Sequence, residues 1–311
     1  MTMKKLYWIF LLFPLLSNAQ QLPERSSFYS NSFIWNPAMT GLWDYWELGL
    51  TYRQEWLGFE DAPVTATLNV QYPFPKEHMS LGGFFMHDNI NPIVMNSFGF
   101  AYAYRVDLGR RRTDLLTIGL MGTLNHFFVD GKEIVVNDQD DPLVPTGENN
   151  KFGPNAGAGI FYTSYGKSEF EKDRFFAGLA VTQLLPGNIR LDEFGSDASL
   201  KRNIHGNAIV GARFVNENTF IEPSLWINYS AVNLLDMNLG VRFEREDAFW
   251  AGLTYSTTQT IFLQTGLAMK NGLAKDGVLR IGALGSFNVG TFGKARGLGF
   301  EFYGAYRFGD L

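Results

Sequence analysis

The chain has 311 residues, of which 46% are hydrophobic and 15% aromatic but only 18% charged, with a formal charge of -5 and no cysteine. A soluble domain carries about 25% charged residues, so something other than charge covers this surface. The acidic balance, without a continuous basic block, excludes a nucleic-acid footprint, and the missing cysteines exclude a disulfide framework and a lipid on an amino-terminal cysteine.

The first residues, MTMKKLYWIFLLFPLLSNAQ, place Lys4 and Lys5 before an apolar core from Leu6 to Leu16 and then the small residues Ser17 and Ala19. This is the layout of a secretory signal peptide over 1–19, too short for a comfortable membrane span. No later stretch offers about 18 apolar, uncharged residues, so the mature chain does not cross a membrane as helices. Two destinations are left: soluble beyond the inner membrane, or embedded in the bacterial outer membrane as a closed barrel.

Residues 20–44 form a pre-barrel segment, read as a plug or as periplasmic. From residue 45 onward, segments with a two-residue period recur. In SFGFAYAYR, Phe98, Phe100, Tyr102 and Tyr104 fall on one face, and Gly99, Ala101, Ala103 and Arg105 on the other. Strands are expected near 45–54, 63–72, 79–88, 97–107, 114–124, 155–163, 174–182, 205–214, 219–229, 235–243, 249–256, 260–269, 278–286 and 298–308. That is about 14 strands, an even number as single-chain bacterial barrels have, with 12–16 allowed. Arg110, Arg111 and Arg112 read as a charged turn.

Alternation alone fits a soluble sandwich as well as a barrel, since both have one apolar face. Three features favour the barrel. The segments are near the 9 to 11 residues a tilted strand needs to cross hydrocarbon, whereas soluble strands average 5 to 6. Glycines, as at Gly99, Gly119, Gly178, Gly240 and Gly282, sit on the polar face, where small residues relieve crowding inside a barrel. Brief turns near 73–78, 108–113, 215–218 and 244–248 oppose longer connections at 125–154, 183–204 and 287–297, the asymmetry of periplasmic turns and external loops. The fold expected is therefore an all-β, antiparallel transmembrane barrel over 45–311. Two places strain it: Pro223 implies a bulge or a misjudged register, and 164–173 is long for an inner turn.

Chemistry finds little support. His78, His87, His126 and His205 are scattered and form no metal-ligand pattern such as HExxH. NDQDDP at 137–142 lacks the spacing of a calcium loop and reads as a solvated external loop. No GxSxG elbow or glycine-rich phosphate loop occurs. No catalytic, cofactor or metal residues are assigned, and the chain is not read as an enzyme. Arg105, Arg242, Arg280 and Arg307 all occupy the polar face, where they would pair with acids such as Glu222, Glu244 and Glu301, contact an internal plug, or line a solute path.

The segment NPAMTGLWDYWELGLTYRQEWLGFEDAPVTATLNVQYPF, Asn36 to Phe74, resembles the amino-terminal signature of the PorP/SprF family of outer-membrane proteins of type IX secretion and gliding motility. Asn36-Pro37-Ala38 with Gly41, Tyr52-Arg53, Trp56 with Gly58-Phe59, and Ala62-Pro63 with Thr65 carry the likeness. Downstream, LGGFFMHDNINP at 81–92 resembles the family's glycine strand ending in an aspartate-bearing loop; AYAYRVDL at 101–108, PNAGAGIFY at 154–162 and FFAGLAVTQLL at 175–185 follow in order. Glu60-Asp61 before the Ala-Pro pair, and Gly309-Asp310-Leu311 after the last strand, depart from the family's pattern. The resemblance implies a non-enzymatic membrane component that docks a secreted adhesin carrying a type IX sorting domain, or a periplasmic lipoprotein, ring or motor component; since a closed barrel recruits through loops or extensions, the loop 125–154 and the segment 20–44 are the candidate docking regions. The alternatives are a passive porin or hydrophobic-solute transporter and a purely structural barrel.

Overall fold

A computed structural model of the chain describes residues 29, 31–109, 113–130, 148–164, 169–190, 199–230, 234–270, 277–290 and 297–308. The expected signal peptide, the arginine turn and NDQDDP lie outside them. Sixteen strands are described, named here in chain order: β1 Trp46–Gln54, β2 Val64–Phe74, β3 Met79–Ile90, β4 Ile93–Leu108, β5 Asp114–Asp130, β6 Glu148–Thr163, β7 Arg174–Thr182, β8 Gly187–Arg190, β9 Ser199–Arg202, β10 His205–Asn216, β11 Thr219–Ser230, β12 Leu234–Arg245, β13 Phe249–Ser256, β14 Thr260–Lys270, β15 Gly277–Asn288 and β16 Leu298–Phe308. Fourteen of them close an antiparallel barrel, each beside its chain neighbour, with β7 next to β10 and β1 next to β16; β8 and β9 form a separate hairpin. At the seam, the opposed pair Trp46 and Phe308 stack with ring centroids 3.7 Å apart.

The faces are those of a barrel in lipid. On β4, Phe98, Phe100, Tyr102 and Tyr104 are 56%, 58%, 36% and 46% exposed, while Ala101 and Ala103 are fully buried. Leu48, Leu50 and Tyr52 on β1 point outward in the same way, and Thr51 and Arg53 are buried inside. Water would not tolerate so continuous an apolar outer surface; hydrocarbon requires it.

All fourteen expected strands are present, several of them longer than expected. β4, β5 and β6 run 16, 17 and 16 residues, so the connection expected over 125–154 shrinks to 131–147, which lies outside the described residues. The ladder continues because Asp130 still pairs with Glu148, although the apolar alternation has ended at that height. Asp88, the last residue of the strand expected over 79–88, lies within β3, buried, and accepts a hydrogen bond from the Thr65 hydroxyl at 2.7 Å. Pro223 introduces no bulge: β10 and β11 run in register from His205 opposite Ser230 to Gly211 opposite Ser224, and resume at Phe214 opposite Ile221 with equal residue counts on both strands. Pro223 is exposed toward lipid, and on its other side it stays in register opposite Val241.

Residues 31–45 run inside this barrel. Phe33, fully buried, packs against Phe84, Met86, Ala101 and Met121, and Ala38 packs against Phe161, Phe176, Ile209 and Trp226. The luminal glycines make the space. A Cβ on Gly119 would overlap the backbone of Pro37 and Ala38, one on Gly159 would overlap the Asn36 side chain, and one on Gly178 would come within 2.9 Å of it. Gly99, Gly240 and Gly282 make room instead for Phe84, Thr254 and Trp250 of the wall itself. Gly122 faces outward with nothing within 4 Å.

Gly119→Leu is therefore expected to push the segment off the wall, at a cost of about 1–3 kcal/mol or more as an overpacked core does, while Gly122→Ala leaves the barrel unchanged. Maleimide labelling of Ala38→Cys in outer-membrane vesicles checks this: protected in the native background and with Gly122→Ala, reactive with Gly119→Leu.

Candidate functional site

The inner segment is fixed by a chain of polar contacts that starts from its Asn-Pro-Ala sequence. Pro37 sets the helical φ of a short 3-10 turn, Pro37–Met39, where its missing N–H costs nothing. Asn36 caps that turn, its Oδ1 accepting from Ala38 N–H at 3.0 Å, and its Nδ2 donates to the Ile160 carbonyl on β6 at 3.2 Å. Thr40 Oγ1 donates to the Pro37 carbonyl at 2.7 Å. Gly41 takes φ +51 and so turns the chain toward β2 and β3, where its N–H meets Gln71 Oε1 at 2.9 Å and its carbonyl accepts from Ser80 at 3.2 Å. Asn207 Nδ2 donates to the Trp35 carbonyl and Asn69 Nδ2 to Asn31 Oδ1. Strands on both sides of the barrel thus hold one segment.

Below it lies a network of charge. Arg213 binds Glu222 at 2.5 Å, Arg242 lies 3.6 Å from both Glu222 and Glu244, and Arg280 reaches Glu244 at 2.6 Å. Arg307 binds Glu47 at 2.8 Å and Glu169 at 3.0 Å. Arg105 reaches into the inner segment, pairing with Asp44 at 2.9 Å. The strand-borne members of this network all lie within three residues of the strand ends beside the chain termini. Aromatic rings of the inner segment complete it: Arg174 sits 4.6 Å over Trp43, Arg242 4.4 Å over Tyr29 and Arg307 4.4 Å over Tyr45. Such contacts let a weakly hydrated guanidinium remain charged away from water.

The four arginines singled out in the sequence are thus all luminal, and Arg242, Arg280 and Arg307 meet in one network while Arg105 holds the segment separately. Glu222 and Glu244 are in it; Glu301 is buried higher on β16, opposite Arg53. Sequence reasoning missed Arg213, Glu47 and Glu169. Arg213 and Glu47 were within reach, since each shares its strand's inward parity, Arg213 with Asn207 and Ile209 and Glu47 with Thr51 and Arg53. Glu169 carried no periodic signal, because it comes from the 164–173 connection that was too long for an inner turn. That connection tucks its acid into the barrel mouth, where it meets Arg307, and Tyr45 donates to it at 3.4 Å. The Glu169 backbone carbonyl also accepts from Arg213 at 3.1 Å, and Phe170 packs on Phe220. Burial pushes the Glu169 carboxyl up, yet Arg307 and Arg213 hold it below the usual carboxylate range.

The histidines are spread around the wall. His78 occupies a left-handed turn position, 3.8 Å from Asp107; His87 pairs with Asn96; His126 pairs with Asn150; His205 is buried at the start of β10. A cavity of about 110 Å3 lies between the inner segment and the charge network, lined among others by Trp43, Tyr45, Glu169, Arg213, Glu222 and Arg307.

The sequence model of the family described as type IX secretion system membrane protein PorP/SprF matches residues 17–306. No curated protein sequence matches. Among solved structures, the chain is similar to the CymD monoaromatic hydrocarbon channel, with a TM-score of 0.56, 13% identity and coverage of 90% of this chain and 92% of that one. It also aligns with the Pseudomonas putida toluene transporter TodX (TM-score 0.47, 11% identity, 91% of this chain and 94% of that one) and with a Pseudomonas aeruginosa FadL homologue (TM-score 0.48, 10% identity, 88% and 92%). The likeness to CymD, at 13% identity, bears on the barrel fold alone.

Because Glu169 is held ionised by two arginines, its stabilising contribution is complete above the ordinary carboxylate range and is lost as the pH falls below it. Glu169→Gln should remove that contribution at neutral pH, costing about 3 kcal/mol as the loss of one member of a buried ion pair does. Thermal unfolding of the detergent-solubilised barrel checks this: the variant unfolds earlier at pH 7, and the gap to the native chain closes at strongly acidic pH.

Proposed function

The chain belongs to the PorP/SprF family of type IX secretion system membrane proteins, and from that premise we propose that it is a docking barrel. In this reading it sits in the bacterial outer membrane with its short turns and both termini toward the periplasm. It holds a secreted surface protein at its outer rim, or a periplasmic component of the secretion machine at its inner rim. The observation that carries the reading is the filled lumen. Residues 31–45 are hydrogen-bonded across the barrel to β1, β2, β3, β4, β6 and β10, and the charge network closes around them. A barrel so occupied offers its rims and loops to other molecules rather than a path.

In this reading the docking surface differs from the one the sequence suggested. Residues 31–44 of the segment expected to recruit partners are committed to the lumen, so recruitment falls to the turns at one rim and the loops at the other. The alternative, a hydrophobic-solute transporter, takes its support from the fold shared with a hydrocarbon channel. The cavity of about 110 Å3 beside the inner segment is lined both by ion pairs and by the apolar side chains of Met39, Leu42, Phe161 and Ile209, so it is the occupied lumen, not the lining of the cavity, that speaks against a solute path.

Crosslinking in intact cells, followed by purification of the barrel and identification of what stays attached, tests this. Recovery of an exported surface protein or a periplasmic secretion component is expected. A barrel that emerges without either overturns the docking reading.

A further inference from the structure

In a closed barrel every strand is paired on both sides, which removes the free edges on which chains otherwise aggregate. This barrel departs from that rule along the upper part of β6. β6 pairs with β5 along its whole length, from Leu115 opposite Thr163 to Asp130 opposite Glu148. On its other side it pairs with β7 only from Gly157 opposite Thr182 to Thr163 opposite Phe176. Beyond Gly157 the ladder with β7 ends, and among the described residues β8 lies beside β6 without pairing to it.

The cause is local. Gln183, the residue after β7, adopts a left-handed conformation with φ +56 and turns the chain off the ladder. Among the described residues, the chain beyond Gln183 bonds to the first part of the exposed edge. Leu184 N–H donates to the Ala156 carbonyl at 3.0 Å, Leu185 N–H donates to Asn155 Oδ1 at 3.1 Å, and Arg202 Nη1 donates to the Pro154 carbonyl at 2.8 Å. Pro154 also has no N–H to leave unpaired, which makes it a suitable edge residue.

Ala156 and Pro154 therefore turn their main-chain groups away from β5, and in an antiparallel ladder that direction alternates along the strand. Phe152, Asn150 and Glu148 must turn their main-chain groups the same way, and among the described residues nothing bonds to those groups. Of the usual protections of an edge, 148–153 carries charge, at Glu148 and Lys151. No proline or bulge interrupts 148–153, and Phe152, 66% exposed, stands beside it as the most exposed large apolar side chain among the described residues. Leu184 and Leu185, 39% and 49% exposed, lie where this edge meets the wall.

We propose that the upper edge of β6, Glu148–Gly153, is a strand-addition site, which binds an extended segment of an exported protein with an apolar side chain set beside Phe152. The site lies at the rim opposite the chain termini, the rim that faces outward in the docking reading on which this proposal rests. Backbone pairing supplies affinity for almost any extended sequence, and the contact with Phe152 and the two leucines supplies the preference for an apolar residue. Residues 148–153, about 20 Å of strand, turn three such sets of main-chain groups outward from the ladder, at Glu148, Asn150 and Phe152, enough for one strand of a folded domain.

Asn150→Pro removes one edge N–H without touching the β5 ladder, since that group points away from it; Asn150→Ala keeps the N–H and serves as control. The experiment places the photo-crosslinker p-benzoylphenylalanine at Phe152 of the full chain in intact cells, with the same group at lipid-facing Leu120 for comparison. The expected result is an adduct between position 152 and the exported protein that co-purifies with the barrel, at least tenfold above position 120. Asn150→Pro should cut it at least fivefold and Asn150→Ala should not. If that protein co-purifies but position 152 reacts only with lipid or with the chain's own residues, the strand-addition site is wrong and the docking reading stands. If no exported protein co-purifies with the native chain, the docking reading fails and this site with it. Should Asn150→Pro not assemble, as read by heat-modifiable gel mobility, the adduct at 152 in the otherwise native chain still decides.

Discussion

A closed sheet in lipid gives its polar residues only one direction to face. Hydrocarbon covers the outer side, so a charged side chain at its height turns inward and must find a partner there, because an unpaired buried charge costs several kcal/mol. In this barrel the partners come from three sources. Neighbouring strands supply some, as Glu222 does for Arg213 and Arg242. The 164–173 connection supplies Glu169, and the inner segment supplies Asp44, Trp43, Tyr29 and Tyr45. The inner segment is thus part of the electrostatic solution of the wall rather than an addition to a finished barrel. Its withdrawal would expose or orphan several guanidinium groups at once.

The same constraint explains where the small residues are. Gly119, Gly159 and Gly178 come from three adjacent strands, and together they form a shallow seat into which Asn36, Pro37 and Ala38 fit. A glycine in a strand interior weakens it and is retained where another backbone approaches closely. Here the approaching backbone belongs to the chain itself. The result is a barrel whose lower half, toward the termini, is filled by packed side chains and ion pairs, and whose chemically open surfaces are its rims.

Much of this was legible in the sequence. Strand positions followed from two-residue alternation because lipid and lumen impose opposite preferences on alternate residues, and the inward placement of Arg105, Arg242, Arg280 and Arg307 followed from the same parity. Asn36-Pro37-Ala38 and Gly41 were visible as a motif, yet nothing in their spacing said which wall they would touch. The upper halves of β4, β5 and β6 were hidden for a physical reason: above the hydrocarbon no face must be apolar, so Asn125, His126, Asn149 and Asn150 pair in a sheet without leaving an alternating pattern. Glu169 was hidden because a residue in a connection acquires its role from where the connection folds. Pro223 misled because a proline needs no bulge where its position leaves the register intact and its ring faces lipid.

The claim on which the rest depends is that the inner segment seals the lumen of the protein in a membrane. Planar-bilayer recording from the purified full-length barrel tests it most directly. The account predicts insertion without sustained open-channel current at any moderate voltage. Steady, ohmic conductance from the native chain would contradict it, and would return the barrel to the class of solute pathways.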